Sequence, residues 1–186
     1  KELIKAFSKI DNAVLELKTK SDCVDTILSI PHKRRTVVSW SMNTHTIINQ
    51  EEHKTASLAK RLVAIKKVVD AGYLLGFHFD PMVRHEGCME EITALIEQLA
   101  EIVPEKQIAW LSMGALRFNP EQKKIMENRF PGSKITMDEM VLGDDNKIRY
   151  IKPLRLEMYH HLYANIRHFW GQDVLLYLCM ERWDVW

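Results

Sequence analysis

Residues 76–87, GFHFDPMVRHEG, bring His78, Asp80, Arg84, His85 and Glu86 into one short stretch. His78 and Asp80 are two apart, so on a strand they share a face. With His85 and Glu86 just beyond, such a set could ligate a metal and serve a metal-dependent barrel hydrolase. Only Glu181 offers a further carboxylate near a strand end. A histidine that hydrogen-bonds inside the fold is the commoner use of such a residue, and no metal is expected at these positions. Lys18 and Lys20 close an otherwise apolar segment. A lysine aimed into a cavity needs an anionic partner to offset its desolvation, and Lys20, nearer the strand's end, is the better anion-binding candidate. Ser41 and Asn43 are small hydrogen-bonding groups suited to ribose hydroxyls or a purine edge. Arg84 and Arg117, with Arg149 and Arg155, form a basic rim for phosphates if they gather on one side. Trp183 and Trp186 could stack on bases if exposed. Ser112 and Cys179 have no evident partner histidine, and the chain has no GxSxG, GxGxxG or Walker loop.

These residues need elements to position them. Alternating or continuous apolar patterns predict strands over 13–20, 36–43, 73–80, 107–113 and 173–181. Helical spacing predicts helices over 21–30, 55–73, 88–104, 119–132 and 153–171. The second places Leu58, Leu62, Ile65 and Val69 on one face; the last repeats Leu154, Met158, Leu162 and Phe169. The segment INQEEHKTAS reads as a long loop before its helix, and GDDN marks the turn of a hairpin inserted at about 135–151. Alternation of β and α predicts an α/β fold with parallel strands. The first three strands each show one polar and one apolar face: Glu16/Lys18/Lys20, Ser39/Ser41/Asn43 and Gly76/His78/Asp80 oppose Leu15/Leu17, Val38/Trp40/Met42 and Leu75/Phe77/Phe79. Parallel sheets covered on both sides read as unbroken apolar runs, so a barrel with a polar lining is preferred over a doubly wound sheet. Five strands make it a partial barrel, one domain over 1–186.

The chain has 186 residues, 46% of them apolar, enough for one real core. Its formal charge is +1, so any nucleic-acid role must rest on a local patch, and tight binding by a non-catalytic nucleic-acid module is disfavoured. No apolar run is long enough to span a membrane. Three dispersed cysteines, Cys23, Cys88 and Cys179, argue for reduced thiols in the cytoplasm. The first residues, KELIKAFSKI, start in helical spacing without a methionine, and the chain stops at ERWDVW. Further sequence is expected upstream.

KTKSDCVDTIL, SWSMNTHTIINQEEHKTASLAKRLVAIKKVVDAGYLLGFHFDP, VRHEG, LRFNPEQKKIMENRFPGS and YLCME resemble the spore photoproduct lyase family and its broader branch of DNA-repair-photolyase-like radical S-adenosylmethionine proteins. The resemblance runs from about residue 13 to the end. It implies a partial (β/α)6 barrel that binds a 4Fe-4S cluster and S-adenosylmethionine. Cleavage of the latter would give a 5′-deoxyadenosyl radical that takes hydrogen from a thymine-derived lesion in damaged DNA and starts its repair. By motif position Lys20 resembles the lysine that meets the cofactor's methionyl carboxylate, and Ser41 the serine beside it. Asn43 follows on the same face, and Asp80 falls near the adenosine. Arg84, His85 and Arg117 fall on the substrate side. Cluster ligation in such proteins uses a CxxxCxxC motif that is absent here, so the ligands are expected N-terminal to Lys1 and the fragment alone is expected to be inactive.

Overall fold

The computed structural model describes all residues except Asp184 and Trp186, so the expectation for Trp186 lies outside the described residues. Five parallel strands form the main sheet: β1 (Leu15–Thr19), β2 (Thr36–Ser41), β3 (Leu74–Met82), β4 (Ile108–Ala115) and, late in the chain, β8 (Leu176–Leu178). Their order in space is β1-β2-β3-β4-β8, the order of the chain with no reversal. Parallel crossovers are right-handed, so a sheet that grows in one direction receives every crossover helix on the same side. The helices α3 (Leu58–Asp70), α4 (Cys88–Ile102) and α6 (Lys152–Trp170) accordingly pack in a row, α3 on α4 and α4 on α6. This is the α/β parallel arrangement of a partial barrel wall.

Between sheet and helices lies the core. Val38, Trp40, Leu75, Phe77, Phe79, Leu111 and Met113 supply the sheet side. The helices answer with Ile65, Val68, Ile96, Leu99, Leu162 and Ile166, and Phe77 stacks parallel to Trp170 at 6.3 Å. Burying each such aliphatic or aromatic side chain contributes about 1.5–3 kcal/mol. The opposite face of the sheet carries Glu16, Ser39, Gly76, His78 and Ser112, the division of faces that the alternation predicts.

Several elements differ from expectation. Residues 21–30 make a series of turns instead of a helix, with Val24 donating to Asp22, Ile27 to Val24 and Ile30 to Ile27. Two carbonyls a helix would need are taken by side chains: Trp40 Nε1 donates to Ser21 O and Tyr73 Oη to Ile27 O. The segment is rich in Ser, Asp and β-branched residues, which weakens helix propensity further. The expected loop after β2 contains a short helix, α2 (His45–Gln50), too brief to show periodicity. On α3 the buried stripe is Leu58, Arg61, Ala64, Ile65 and Val68, rotated slightly from the expected one, with Leu62 and Val69 half-buried. β3 continues past Asp80 through a cis Asp80–Pro81 bond to Met82.

A second sheet of three antiparallel strands has the order β5 (Arg117–Phe118), β7 (Ile148–Tyr150), β6 (Met140–Leu142). Helix α5 (Pro120–Arg129) leads into it behind an Asn119–Gln122 capping box. A short helix, α1 (Glu2–Phe7), precedes β1. Among the described residues no helix is long and apolar enough to cross a membrane.

Candidate functional site on the polar face

All five main strands run the same way, so their C-terminal ends form one rim, and the polar face opens beneath it. Its centre is a hydrogen-bonded cluster. Glu16 Oε1 accepts from Ser39 Oγ at 2.5 Å, His78 Nε2 at 2.8 Å and Trp110 Nε1 at 3.3 Å. His78 Nδ1 meets Ser112 Oγ at 2.7 Å. With Nε2 donating to the carboxylate, Nδ1 accepts the serine proton, so a neutral imidazole satisfies both contacts. Burial would raise the Glu16 carboxyl, but the hydrogen bonds from Ser39, His78 and Trp110 outweigh it and hold the group below its ordinary value. Gly76 makes the close approach possible, since a Cβ there would sit 2.9 Å from Trp110 Nε1 and 3.0 Å from Ser39 Oγ.

At the rim of β1, Lys20 Nζ donates to Glu52 Oε1 at 2.5 Å. The other oxygen of Glu52 accepts from Arg61 Nη2 at 2.5 Å. Arg61 is fully buried, and it also donates to Ala56 O, Ser41 O and Thr55 Oγ1. One arginine thus ties the loop before α3 to the end of β2. Lys20 lines a hollow of about 450 Å3 with Thr19, Ser21, Lys54, Thr55 and Lys60. Ser41 is next in the row: register pairs Thr19 with Trp40 and Ser41 with His78, which sets Lys20 beside Ser41. The hydroxyl of Ser41 makes no hydrogen bond among the described residues, although the residue is buried.

A family model, spore photoproduct lyase, matches residues 1–178. The chain belongs to the spore photoproduct lyase family. It is 33% identical over 141 residues to the spore photoproduct lyase of Geobacillus sp. (strain Y412MC61), covering 75% of this chain and 41% of that protein. The enzyme of Bacillus subtilis (strain 168) matches with the same identity and coverage. The chain spans less than half the length of these curated relatives. Among solved structures, a spore photoproduct lyase complexed with dinucleoside spore photoproduct superposes with a TM-score of 0.79 at 28% identity, over 95% of this chain and 54% of that one. A double variant with bound AdoMet and dinucleoside spore photoproduct superposes at 0.78 with the same identity and coverage.

Within this half-barrel the remaining expected residues lie apart from Lys20. Asp80 is two residues beyond His78, one side-chain row further along, about 6.6 Å. It faces Arg117, whose Nη1 and Nη2 donate to its two oxygens at 2.9 and 3.3 Å. The pair lines a separate hollow of about 360 Å3 with Phe118, Asn119, Gln122 and Lys147. Lys20 and Asp80 thus line different hollows, and Ser41 lines neither of the two. Asn43 is engaged in structure: its Nδ2 donates to Pro81 O and its Oδ1 accepts from Thr44 N. Arg84 pairs with Asp138, at 3.2 Å to one oxygen and 3.3 Å to the other. Its backbone N–H donates to Tyr150 Oη, and burial pushes that phenol up to about 12. His85 contacts Thr44 Oγ1 at 2.9 Å and Glu86 O at 2.8 Å.

These engagements leave the metal-hydrolase alternative without a site. His78, Asp80 and His85 each face different partners, and no group of three or more potential ligands gathers among the described residues. Glu181 is consumed as well, accepting from Arg155 Nη1 and from Tyr159 Oη, whose other neighbour is the N–H of Ala115. Burial, then the adjacent Glu181, raise the Tyr159 phenol far above its ordinary value. Trp183 is 81% exposed, the condition stated for stacking on bases.

Sequence reasoning placed Glu16 on the polar face without giving it a role, and it missed Glu52, Arg61 and Trp110. Arg61 left a signal, an arginine at the 58/61/65/68 spacing of the buried stripe of α3. Glu52 left none, because its role depends on two residues that only the fold brings near it.

Proposed function

We propose that this chain forms part of a radical S-adenosylmethionine barrel that acts in the cytoplasm on UV-induced thymine lesions in DNA; its relatives are named spore photoproduct lyases. The observation that carries this reading is the family match across residues 1–178. The polar rim supports it: Lys20 is a cation for the cofactor's carboxylate, and Ser41 offers a free hydroxyl in the same row. When bound, S-adenosylmethionine supplies hydrogen-abstracting radical chemistry. Lys20 and Ser41 would hold its charged end, while Glu16 and His78 are fixed by their own hydrogen bonds and Asp80 and Arg117 lie further along the face.

The residues present do not fit the 4Fe-4S cluster. Cys23 is exposed, Cys88 buried at the start of α4 and Cys179 at the end of β8, and no group of potential ligands gathers among the described residues. The cluster is proposed to be held by cysteines outside these 186 residues. Cys179 lies beside Asp80 and Arg117, and burial followed by Asp80 raises its thiol above the ordinary value, which keeps it protonated.

The test is anaerobic reconstitution of the full-length protein with iron and sulfide, followed by titration with S-adenosylmethionine. Cluster absorption and 5′-deoxyadenosine on reduction are expected, and Lys20→Ala weakens binding of the cofactor about 10-fold or more, as loss of a charge-assisted hydrogen bond implies. A full-length protein that forms no cluster and yields no 5′-deoxyadenosine overturns the proposal.

A further inference from the structure

A cavity of about 490 Å3 lies on the same rim, between the loop after α2 and the turn that ends α5. Six residues give it its character: Gln50, Glu51 and His53 on one wall, Arg129, Phe130 and Ser133 on the other. The two walls are joined by a 2.8 Å hydrogen bond from Ser133 Oγ to Glu51 Oε2. Phe130 is 39% exposed, and its ring lies 5.5 Å from that of His53 at a 31° tilt. The guanidinium of Arg129 sits over the same ring, 5.4 Å from its centroid.

Core packing does not account for this arrangement. Helix α5 has no fully buried residue, only part-buried ones such as Met126, and Phe130 is its capping residue. A part-exposed aromatic ring with an imidazole beside it and a guanidinium above it is a stacking surface with a cation at hand. Such a platform accepts the π-face of any base, while the arginine meets the adjoining phosphate. Glu51 and Gln50 add acceptors at the cavity edge for an exocyclic amino group. A nucleobase fits easily within the volume. Both walls follow C-terminal strand ends: α2 and its loop follow β2, and α5 follows β4 and β5. The cavity therefore opens on the side where the lesion is proposed to bind.

We propose that this cavity is a DNA subsite that takes one unstacked base on Phe130 and His53, with a backbone phosphate on Arg129. This rests on the reading of the chain as part of a DNA-repair enzyme, and it adds a contact away from the Lys20 and Ser41 row.

The experiment measures binding of a fluorescein-labelled, thymine-rich duplex to the full-length protein by anisotropy. Phe130→Ala is expected to weaken binding roughly 5- to 150-fold, the range for loss of one base–aromatic stack, with S-adenosylmethionine affinity unchanged. Phe130→Tyr keeps the ring and should bind within about 2-fold of the wild type, since any base stacks on it. Arg129→Gln should lower the slope of log K against log salt by about one. A measurement on unaltered protein stands beside these: irradiation with 5-iodouracil-substituted DNA should crosslink to Phe130 or His53, read by mass spectrometry. If the wild type binds DNA while Phe130→Ala binds equally well and no crosslink maps to either residue, the subsite is refuted and the proposed function survives. If the wild type does not bind DNA at all, the proposed function fails, and the subsite with it.

Discussion

Glu52 offers the sharpest test of how the rim is held together. Its side chain is 7% exposed and faces the fully buried guanidinium of Arg61 and the ammonium of Lys20. Glu52→Gln keeps the shape and one acceptor but removes the only carboxylate paired with Arg61 among the described residues. Leaving a buried charge without its counter-charge costs about 3–5 kcal/mol. Arg61 retains three oxygen partners, Ala56 O, Ser41 O and Thr55 Oγ1, so the lower end, about 3 kcal/mol, is expected. With a urea m-value of about 2 kcal/mol/M, the unfolding midpoint falls by roughly 1.5 M. Glu52→Ala removes the counter-charge and the acceptor together and should destabilise at least as much. A midpoint change for Glu52→Gln under about 0.3 M, or a Glu52→Ala variant close to the wild type, would refute the argument that an uncompensated buried charge sets the cost.

Other consequences can be measured in the same way. Tyr159→Phe leaves the Ala115 N–H and one oxygen of Glu181 without their hydrogen-bond partner, so unfolding free energy should drop by about 1–3 kcal/mol, checked by urea denaturation. Gly114→Ala puts a Cβ 2.6 Å from Asp80 Oδ1 and 3.1 Å from Arg117 Nη1; the pair must move, at a cost of about 1–3 kcal/mol, visible as a lower melting temperature. The Glu16 carboxyl is held below its usual value in the fold, so its stabilisation is full above the unfolded-state pKa and is lost as pH falls through the folded one. The stability advantage of the wild type over Glu16→Gln should therefore be largest near neutrality and shrink below the mid-4s, followed as urea midpoints across a pH series.

The outline of the fold was legible because the strands carry a period of two with opposite characters on their faces. Val38, Trp40, Leu75 and Phe77 had to meet helices, while Glu16, Ser39 and His78 had to meet one another or a ligand. What the sequence concealed depends on contacts between distant segments. Residues 21–30 have an acceptable cap and some apolar spacing, yet Tyr73 and Trp40 claim their carbonyls from 46 and 19 positions away. Asp80 shares a face with His78, and alternation could say so. That Arg117 would close on it required knowing that the chain just past β4 brings this side chain within reach of Asp80. Alternation also gave no hint of Phe130, since an exposed aromatic at a helix end has no periodic partner.

The pairing of Lys20 with Glu52 bears on whether an anionic ligand can use that lysine. A lysine neutralised by a carboxylate would ordinarily be a poor receptor, because the ligand must displace the resident partner. Here the carboxylate is anchored from behind by Arg61, so it gains nothing by following the lysine and loses little by sharing it. The ammonium has three N–H donors, and the contact with Glu52 uses one. Its side chain is 35% exposed, which leaves the remaining donors toward open space. Glu52 then acts as a fixed post that holds Lys20 extended over the rim and lowers the entropy lost when a carboxylate arrives. On this argument Glu52→Gln should weaken binding of S-adenosylmethionine even at temperatures where the variant is fully folded. Arg61→Lys, which keeps a charge but lacks the fork that reaches Ser41 and Glu52 together, should do the same.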